Sequence, residues 1–392
     1  MIVETLFWVF IFIVFYTYLG YGLLIWLINR ISVAFSTTSI KTGNENFEPL
    51  VALVITAYNE EDYIEEKIKN CVLLSYPKDK LRIYFVTDGS DDLSVDIISK
   101  HSQITLLHQP ERRGKAAAMN RAAAMVQEPF IIFCDVNTML NEYCIEEIVK
   151  HYIDPKVGGV AGEKKIRISL NDTAASAGEG LYWKYESFLK KQDALFYSVV
   201  GAAGELFSVR KELYQPLQEG VIIEDFVLSL AIAMKGYVIK YEPGAYAIET
   251  GSESMKDEQK RKIRISAGGF QAMYILSPLL NIFRYHRLSF QYISHRVLRW
   301  TITPICLFLL FPLNLVLVLR GMGILYEILF AMQLFFYLLA LLGWFLANKN
   351  TRNKWLYTAY YFLFMNVSVF GGLKRFIRRK QSVLWDKTAR KK

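Results

Sequence analysis

Four stretches of the chain are uncharged and mostly apolar: Leu6 to Ile28, Trp300 to Leu319, Ile328 to Ala347 and Trp355 to Leu373. Each is close to the ~20 residues that a helix needs to cross a bilayer. The first is too long for a signal-peptide core, runs into Asn29 and Arg30, and has no small-residue cleavage site. It predicts a retained anchor over residues 1–30, with the other three grouped in residues 300–373. Between anchor and C-terminal spans the pattern changes. Residues 31–49 read as a polar linker, and from Leu50 apolar runs alternate with charged helical stretches. "LVALVITAYNE" (50–60), "LRIYFVTDGS" (81–90), "ITLLHQ" (104–109) and "FIIFCD" (130–135) read as strands. Helices are expected after residue 60, near 92–101, over 114–127 and over 141–151. Strands apolar on both faces, alternating with helices, indicate an α/β fold with a mainly parallel sheet covered by helices.

Glu60, Asp88 and Asp135 each fall just past the carboxyl end of an apolar run, on the first, second and fourth strands. Parallel order brings such residues to one sheet edge, where open α/β folds bind ligands. A helix cap explains any one of them as well, since "DGSDD" is good capping chemistry. Three in register call for a site. No G-x-G-x-x-G follows the first strand, and "RRGKAA" lacks the earlier glycine and the Ser/Thr of a P-loop. Acidic strand ends without a glycine cradle point to phosphates neutralised by a metal on carboxylates.

Composition and charge narrow the class further. The chain is 53% hydrophobic with mean hydropathy +0.21, which fits a membrane protein carrying a polar insert. Of the net +9, residues 374–392 supply +8 from nine Lys/Arg and one Asp, so the remainder is nearly neutral. That location argues against nucleic acid and for a tail on an anionic cytoplasmic leaflet, with Trp385 at the interface. A solvated tail explains the charge equally well. The cysteines, Cys71, Cys134, Cys144 and Cys306, form no C-x-x-C pair and read as isolated buried thiols in a reducing compartment. The sequon Asn171 to Thr173 carries no weight for the same reason.

Seven separated segments together resemble the family 2 glycosyltransferases, inverting enzymes with the GT-A fold, from about Leu50 to Ala272: "ITAYNE", "VTDGSDD", "RRGKAAAMN", "FCDVNT", "GELFSVRKEL", "IEDFVLSL" and "RKIRISAGG". The branch resembled is the membrane-embedded one that includes cellulose, hyaluronan and poly-N-acetylglucosamine synthases. The closest likeness is to bacterial exopolysaccharide transferases with a "YTYLGY"-type anchor, here Tyr16 to Tyr21. The resemblance implies a catalytic domain over 50–265, amphipathic interfacial helices over 266–299, and a bacterial inner-membrane, multi-pass protein. It places Thr56, Tyr58 and Glu60 around the nucleoside, Asp88 near the base, and Asp91 framing the loop. It sets Lys115 near the donor phosphates with Asn120 in support, Glu205 by the donor sugar, and Arg264, with Arg261 beside it, where processive members have Q-x-x-R-W. Asp225 matches the general base and Glu224 stiffens it; Asp135 and Asn137 stand where the family has D-x-D and would hold Mg2+ or Mn2+.

The chemistry suits these residue types. A cation stabilises charge on the leaving diphosphate, Lys115 and Arg264 add to it, and a carboxylate takes the proton of the attacking hydroxyl. The implied activity is hexosyl transfer from a nucleotide sugar, UDP-linked by the resemblance, to a growing polysaccharide. Single-sugar addition to a lipid-linked acceptor is the alternative; polysaccharide-export proteins are the implied partners. A catalytically silent nucleotide-binding scaffold of a polysaccharide secretion complex is the non-enzyme alternative; loss of Asp135 or Asp225 would have supported it, and both are present. Blander readings stand beside these: Lys115 starting an Ala-rich helix, Arg264 facing lipid, Asp225 as a first-turn acid, and Tyr182, Trp183 and Tyr185 as packing.

Two departures matter. Ile265 replaces the tryptophan of the processive motif and Arg261 its glutamine, which leaves processivity open. Asn137 contributes a carbonyl without charge, so metal should bind weakly until the nucleotide sugar arrives. Topology also strains. Glu4 before the first span and Arg30 after it put the catalytic domain in the cytoplasm, and three further crossings would put the basic tail outside. A cytoplasmic tail requires that Trp300 to Leu319, with Pro304 and Pro312, be a bent hairpin or in-plane segment, or that the rule fail.

Overall fold

A computed structural model describes residues 1–35, 47–167, 174–250, 254–347 and 354–378. Most of the linker, the sequon and the tail beyond Arg378 lie outside the described residues. The polar insert forms one eight-stranded sheet in the order β3-β2-β1-β4-β7-β6-β8-β5. Strands β1 (Val51–Ala57), β2 (Leu81–Asp88), β3 (Ile104–Gln109) and β4 (Phe130–Asp135) pair in parallel. The other half is formed by β5 (Thr138–Leu140), β6 (Val157–Arg167), β7 (Leu206–Arg210) and β8 (Val238–Thr250). Here β7 runs antiparallel to β4 and to β6, while β8 is parallel to β6.

Every residue of β1 is buried, and its alternating side chains feed two separate cores. Ala52 and Val54 face the core shared with Met119, Phe207 and Phe226; Leu53 and Ile55 face the one shared with Ile64, Ile68 and Ile132. A strand apolar on both faces therefore fits only between two layers of helix. Two membrane-side helices, α1 (Ile2–Phe15) and α2 (Tyr21–Phe35), are joined by a π-helical turn at Tyr16–Gly20. The covering helices are α3 (Glu61–Val72), α4 (Ser94–Ser99), α5 (Lys115–Met125), α6 (Cys144–Val149), α7 (Ala174–Phe196) and α8 (Glu224–Met234).

Beyond the sheet, α9 (Met255–Ile275) is one continuous helix, so the division expected at 265/266 falls inside a single element. Then come α10 (Ile282–Tyr292), a π segment (Ile293–Val297) and α11 (Leu298–Trp300). Three apolar helices follow: α12 (Ile302–Leu319), α13 (Ile324–Ala347) and α14 (Lys354–Ile377). Four candidate spans are thus long and apolar enough to cross a membrane: Ile2–Ser32, Ile302–Leu319, Ile324–Leu346 and Leu356–Ile377. Phe12, Phe335 and Leu338 are more than half exposed on them, which lipid tolerates and water does not. Hydroxyl and amide pairs tie these helices together: Thr17 with Thr303 at 2.9 Å, Tyr18 with Asn366 at 2.5 Å, and Asn314 with Gln333 at 3.2 Å. The hairpin reading of Trp300 to Leu319 is corrected, because Ile302–Leu319 is one unbroken helix with Pro312 inside it.

The last helix is where the topology bends. α14 runs alongside α9 and in the same direction: Tyr361 donates to Glu258 at 2.9 Å, Gly371 meets Ile263, and Phe376 stacks on Phe270 at 6.1 Å. Gly372 allows this approach, since a Cβ there would lie 2.8 Å from the Ala267 backbone nitrogen. The second half of α14 is therefore packed on α9, which continues directly from the sheet.

Candidate active site

Four elements deliver charged side chains to one cavity of about 630 Å³. β4 ends in Asp135, α5 opens with Lys115, α8 opens with Glu224 and Asp225, and α9 carries Arg261 and Arg264. Lys115 Nζ lies 2.7 Å from an Asp135 oxygen and 3.0 Å from a Glu224 oxygen. Gly204 makes the room: a Cβ there would sit 2.7 Å from Lys115 Nζ and 3.6 Å from the Asp225 carboxyl carbon. Next to it, Glu205 pairs with Lys164, whose amine is fully buried and also pairs with Glu249.

The charges of this cluster set one another. Burial works to lower the Lys115 amine, but Asp135, Glu224 and Asp225 outweigh it and hold it well above its ordinary range. Burial raises Asp135, with Lys115 opposing. Burial, then the neighbouring Glu224, pushes Asp225 up to about 7, with Lys115 pulling the other way. Glu205 is the reverse: burial would raise it, yet its Lys164 partner holds it at about 2. Two carboxyls in one cavity are thus driven apart, one to accept a proton near neutrality and one to stay ionised. Arg264 is lowered by burial against the pull of Glu224, yet a guanidinium stays charged.

The other expected residues lie on the β1/β2 side. Asp88 is fully buried and accepts from the backbone N–H of Arg113 at 3.1 Å and of Gly114 at 2.6 Å. It thereby fixes the loop that presents Lys115, where Gly114 takes a φ of 92°. Tyr58 lies under the Arg112 guanidinium, 3.5 Å from its ring centroid. Asn59, at φ 51°, exchanges two hydrogen bonds with Asp91, at 2.6 and 3.0 Å. The Glu60 backbone N–H donates to Ser94 at 3.1 Å, and Thr56 is buried in register with Asp135. Asn120 ties down residues 214–217, donating to the Leu217 carbonyl at 2.8 Å and accepting from Tyr214. Asn137 is half-buried two residues beyond Asp135.

Seven of the expected residues meet in the cavity: Lys115, Asp135, Glu205, Glu224, Asp225, Arg261 and Arg264. Thr56, Tyr58, Glu60, Asp88, Asp91, Asn120 and Asn137 do not line it. Sequence reasoning missed Lys164, Glu186, Lys190, Arg296 and Arg299. Their one advance signal was the i,i+4 spacing of Glu186 and Lys190 on a helix, common on any solvated face.

Among the described residues no group of three His, Cys, Asp or Glu side chains is placed to hold a metal ion. What is present is one carboxylate, Asp135, 29% exposed at its side chain, with the amide of Asn137 two residues on. Hard oxygen donors of this kind fit Mg2+ or Mn2+ that draws its remaining ligands from a bound diphosphate and water.

A sheet edge with acidic strand ends, a lysine among carboxylates and a carboxyl poised near neutrality define an α/β group-transfer site. Residues 52–217 match the family described as Glycosyl transferase family 2. The likeness to family 2 glycosyltransferases is therefore carried by residues 52–217. The chain is similar to poly-beta-1,6-N-acetyl-D-glucosamine synthase of Staphylococcus aureus strain MSSA476, at 27% identity over 235 residues, 57% of this chain and 55% of that protein. The Staphylococcus epidermidis synthase is 24% identical over 247 residues, covering 60% of this chain and 58% of its own. The chain thus spans little more than half the length of these relatives. In structure it resembles mannosyltransferase PcManGT from Pyrobaculum calidifontis, solved with GDP-Man and Mn2+, with a TM-score of 0.73 at 19% identity over 96% of this chain and 99% of that one. The GT-A fold expected from the sequence holds, here with four apolar helices added.

Proposed function

We propose that the protein is a membrane-bound, inverting transferase that moves a sugar from a nucleoside diphosphate onto an acceptor hydroxyl in exopolysaccharide or cell-envelope synthesis. The observation that carries this reading is Asp225, a carboxyl raised to about 7 in a cavity it shares with the Lys115–Asp135–Glu224 cluster. A carboxylate with that affinity takes the hydroxyl proton as the hydroxyl attacks the anomeric carbon. Lys115 and Arg264 meet the negative charge that develops on the departing diphosphate. The Asp88-fixed loop and Tyr58 frame the nucleoside end, and Glu205, held ionised by Lys164, positions donor-sugar hydroxyls. Mg2+ or Mn2+ would be held by Asp135 and Asn137 together with the donor, supplying Lewis-acid stabilisation of the leaving group. The metal-bound mannosyltransferase of similar fold supports this reading.

The test is nucleotide release in nanodiscs over a panel of nucleotide sugars, with Mn2+, Mg2+ or chelator. Asp225→Asn should lose roughly 10²-fold or more of turnover, the scale of a missing general base. Unchanged turnover in that variant would remove Asp225 from the chemistry, and chelator-insensitive turnover would remove the metal.

For placement, α1 and α2 with α12 and α13 serve as three crossings, and α14 lies along α9 at the membrane surface. This keeps the catalytic domain and Lys374, Arg375 and Arg378 on the cytoplasmic side without breaking the positive-inside rule.

A further inference from the structure

The Lys115 cluster lines only part of the cavity. Apolar helices line it too: Tyr18 and Leu19 from the first span, and Phe362, Met365 and Val369 from α14. Leu19 is 56% exposed. From α7 and residues 296–300 come Lys190, Arg296 and Arg299, together with the carboxylate of Glu186. Arg296 and Arg299 both pair with Glu186, the first at 2.9 Å. Lys190 does not. It is only 3% exposed and lies 5.3 Å over the Trp183 ring, with no carboxylate within ion-pairing distance among the described residues. Glu205, Glu186 and Glu163 act on it only from farther off, while burial and then Arg296 lower its pKa. A buried ammonium left unpaired costs several kcal/mol, so such a group facing a cavity calls for an anion inside it. In the proposed reaction the diphosphate of the donor is already met by Lys115 and Arg264.

We infer that the acceptor is a phosphate-linked glycolipid, with its sugar hydroxyl at Asp225, its phosphate against Lys190, and its apolar chain leaving past Leu19 and α14. This rests on the transfer reaction proposed above and names its acceptor class. The transfer balances without a further reagent. The acceptor oxygen bonds to the anomeric carbon, the bond from that carbon to the diphosphate breaks, Asp225 takes the proton, and the nucleoside diphosphate leaves.

The experiment uses the full chain in nanodiscs with N-acetylglucosamine presented in three forms: on farnesyl diphosphate, as its neutral octyl glycoside, and as the soluble 1-phosphate. The expected kcat/KM for the farnesyl diphosphate form exceeds each of the others by tenfold or more. In Lys190→Met the margin over the octyl glycoside should fall to twofold or less, and Lys190→Arg should restore it. Lys190→Met should melt no lower than wild type, because it removes an unpaired buried charge, and that separates lost recognition from lost folding. Equal use of the lipid phosphate and the neutral glycoside would overturn the inference, as would a soluble phosphate that serves as well as the lipid. So would a margin that survives in Lys190→Met. Donor consumed with none of the three acceptors would also overturn it while leaving the transferase reading intact. Failure to consume any nucleotide sugar would overturn both.

Discussion

Replacing Lys115 with methionine tests the charge logic of the site most directly. The amine sits 2.7 Å from Asp135 and 3.0 Å from Glu224, with Asp225 close behind. At an effective dielectric near 20, each contact pair is worth about 5–6 kcal/mol of Coulomb attraction, much of it cancelled by desolvating the ammonium. Breaking a buried pair by deleting one partner costs about 3–5 kcal/mol. Asp135 is 29% exposed and Glu224 only 6%, so the lower end, about 3 kcal/mol, is the reasonable figure. For a domain of this size that is a fall in Tm of about 6–12 °C. The loss should depend on pH in a defined direction. Burial already raises the carboxyls of Asp135 and Asp225, and without the cation that opposes it their folded pKa values stand further above the unfolded ones. The penalty is then full above the folded values and is relieved as pH falls through them. Thermal unfolding of both proteins at pH 8 and pH 5.5 should show a wide gap at pH 8 and a narrow one at 5.5. Mn2+ should raise the Tm of the variant more than that of wild type, because a divalent cation replaces the missing charge. Coincident melting at pH 8 would refute this account of the cluster.

The acid limb of kcat/KM should fall near pH 7, because Asp225 must be ionised to act and its carboxyl is pushed up to about 7; a limb near pH 4 would contradict the assignment. Gly372→Leu should separate α14 from α9, whose Ser266 and Ala267 lie against it, and lower turnover at least tenfold with the protein still inserted, as read by nucleotide release and membrane fractionation. A single cysteine at Lys374, in a background free of native thiols, should resist an impermeant thiol reagent in intact cells and react after permeabilisation; labelling in intact cells would place α14 across the bilayer.

The parallel half of the fold was legible because β1, β2 and β4 are mostly apolar runs with an acid at or just past their ends. That pattern survives any tertiary detail. The antiparallel half was not. β6 reads "VGGVAGEKKIR", where glycines and buried charge mask the strand, and Lys164 is hidden there only because Glu205 and Glu249 come from elsewhere in the chain. Within the site, motif order found Lys115, Asp135, Glu224 and Asp225, but it could not tell that the Asp88 carboxylate is engaged by the Arg113 and Gly114 backbone. The cluster of Glu186, Arg296 and Arg299 was illegible for the same reason. Both arginines lie about 110 residues beyond Glu186, and a lone Arg at a membrane edge gives no hint of its partner.

The docking of α14 on α9 has a consequence for biosynthesis. α14 follows every other described element, so it is the last of them to leave the ribosome, yet Tyr361, Phe362 and Met365 complete the wall beside Arg261 and Arg264. Since domains fold in the order they are made, the nucleotide-binding half can be finished while the cavity still lacks a side. If the proposed transfer holds, a nascent chain would keep donor without spending it, and transfer would begin only once α14 has been threaded into place.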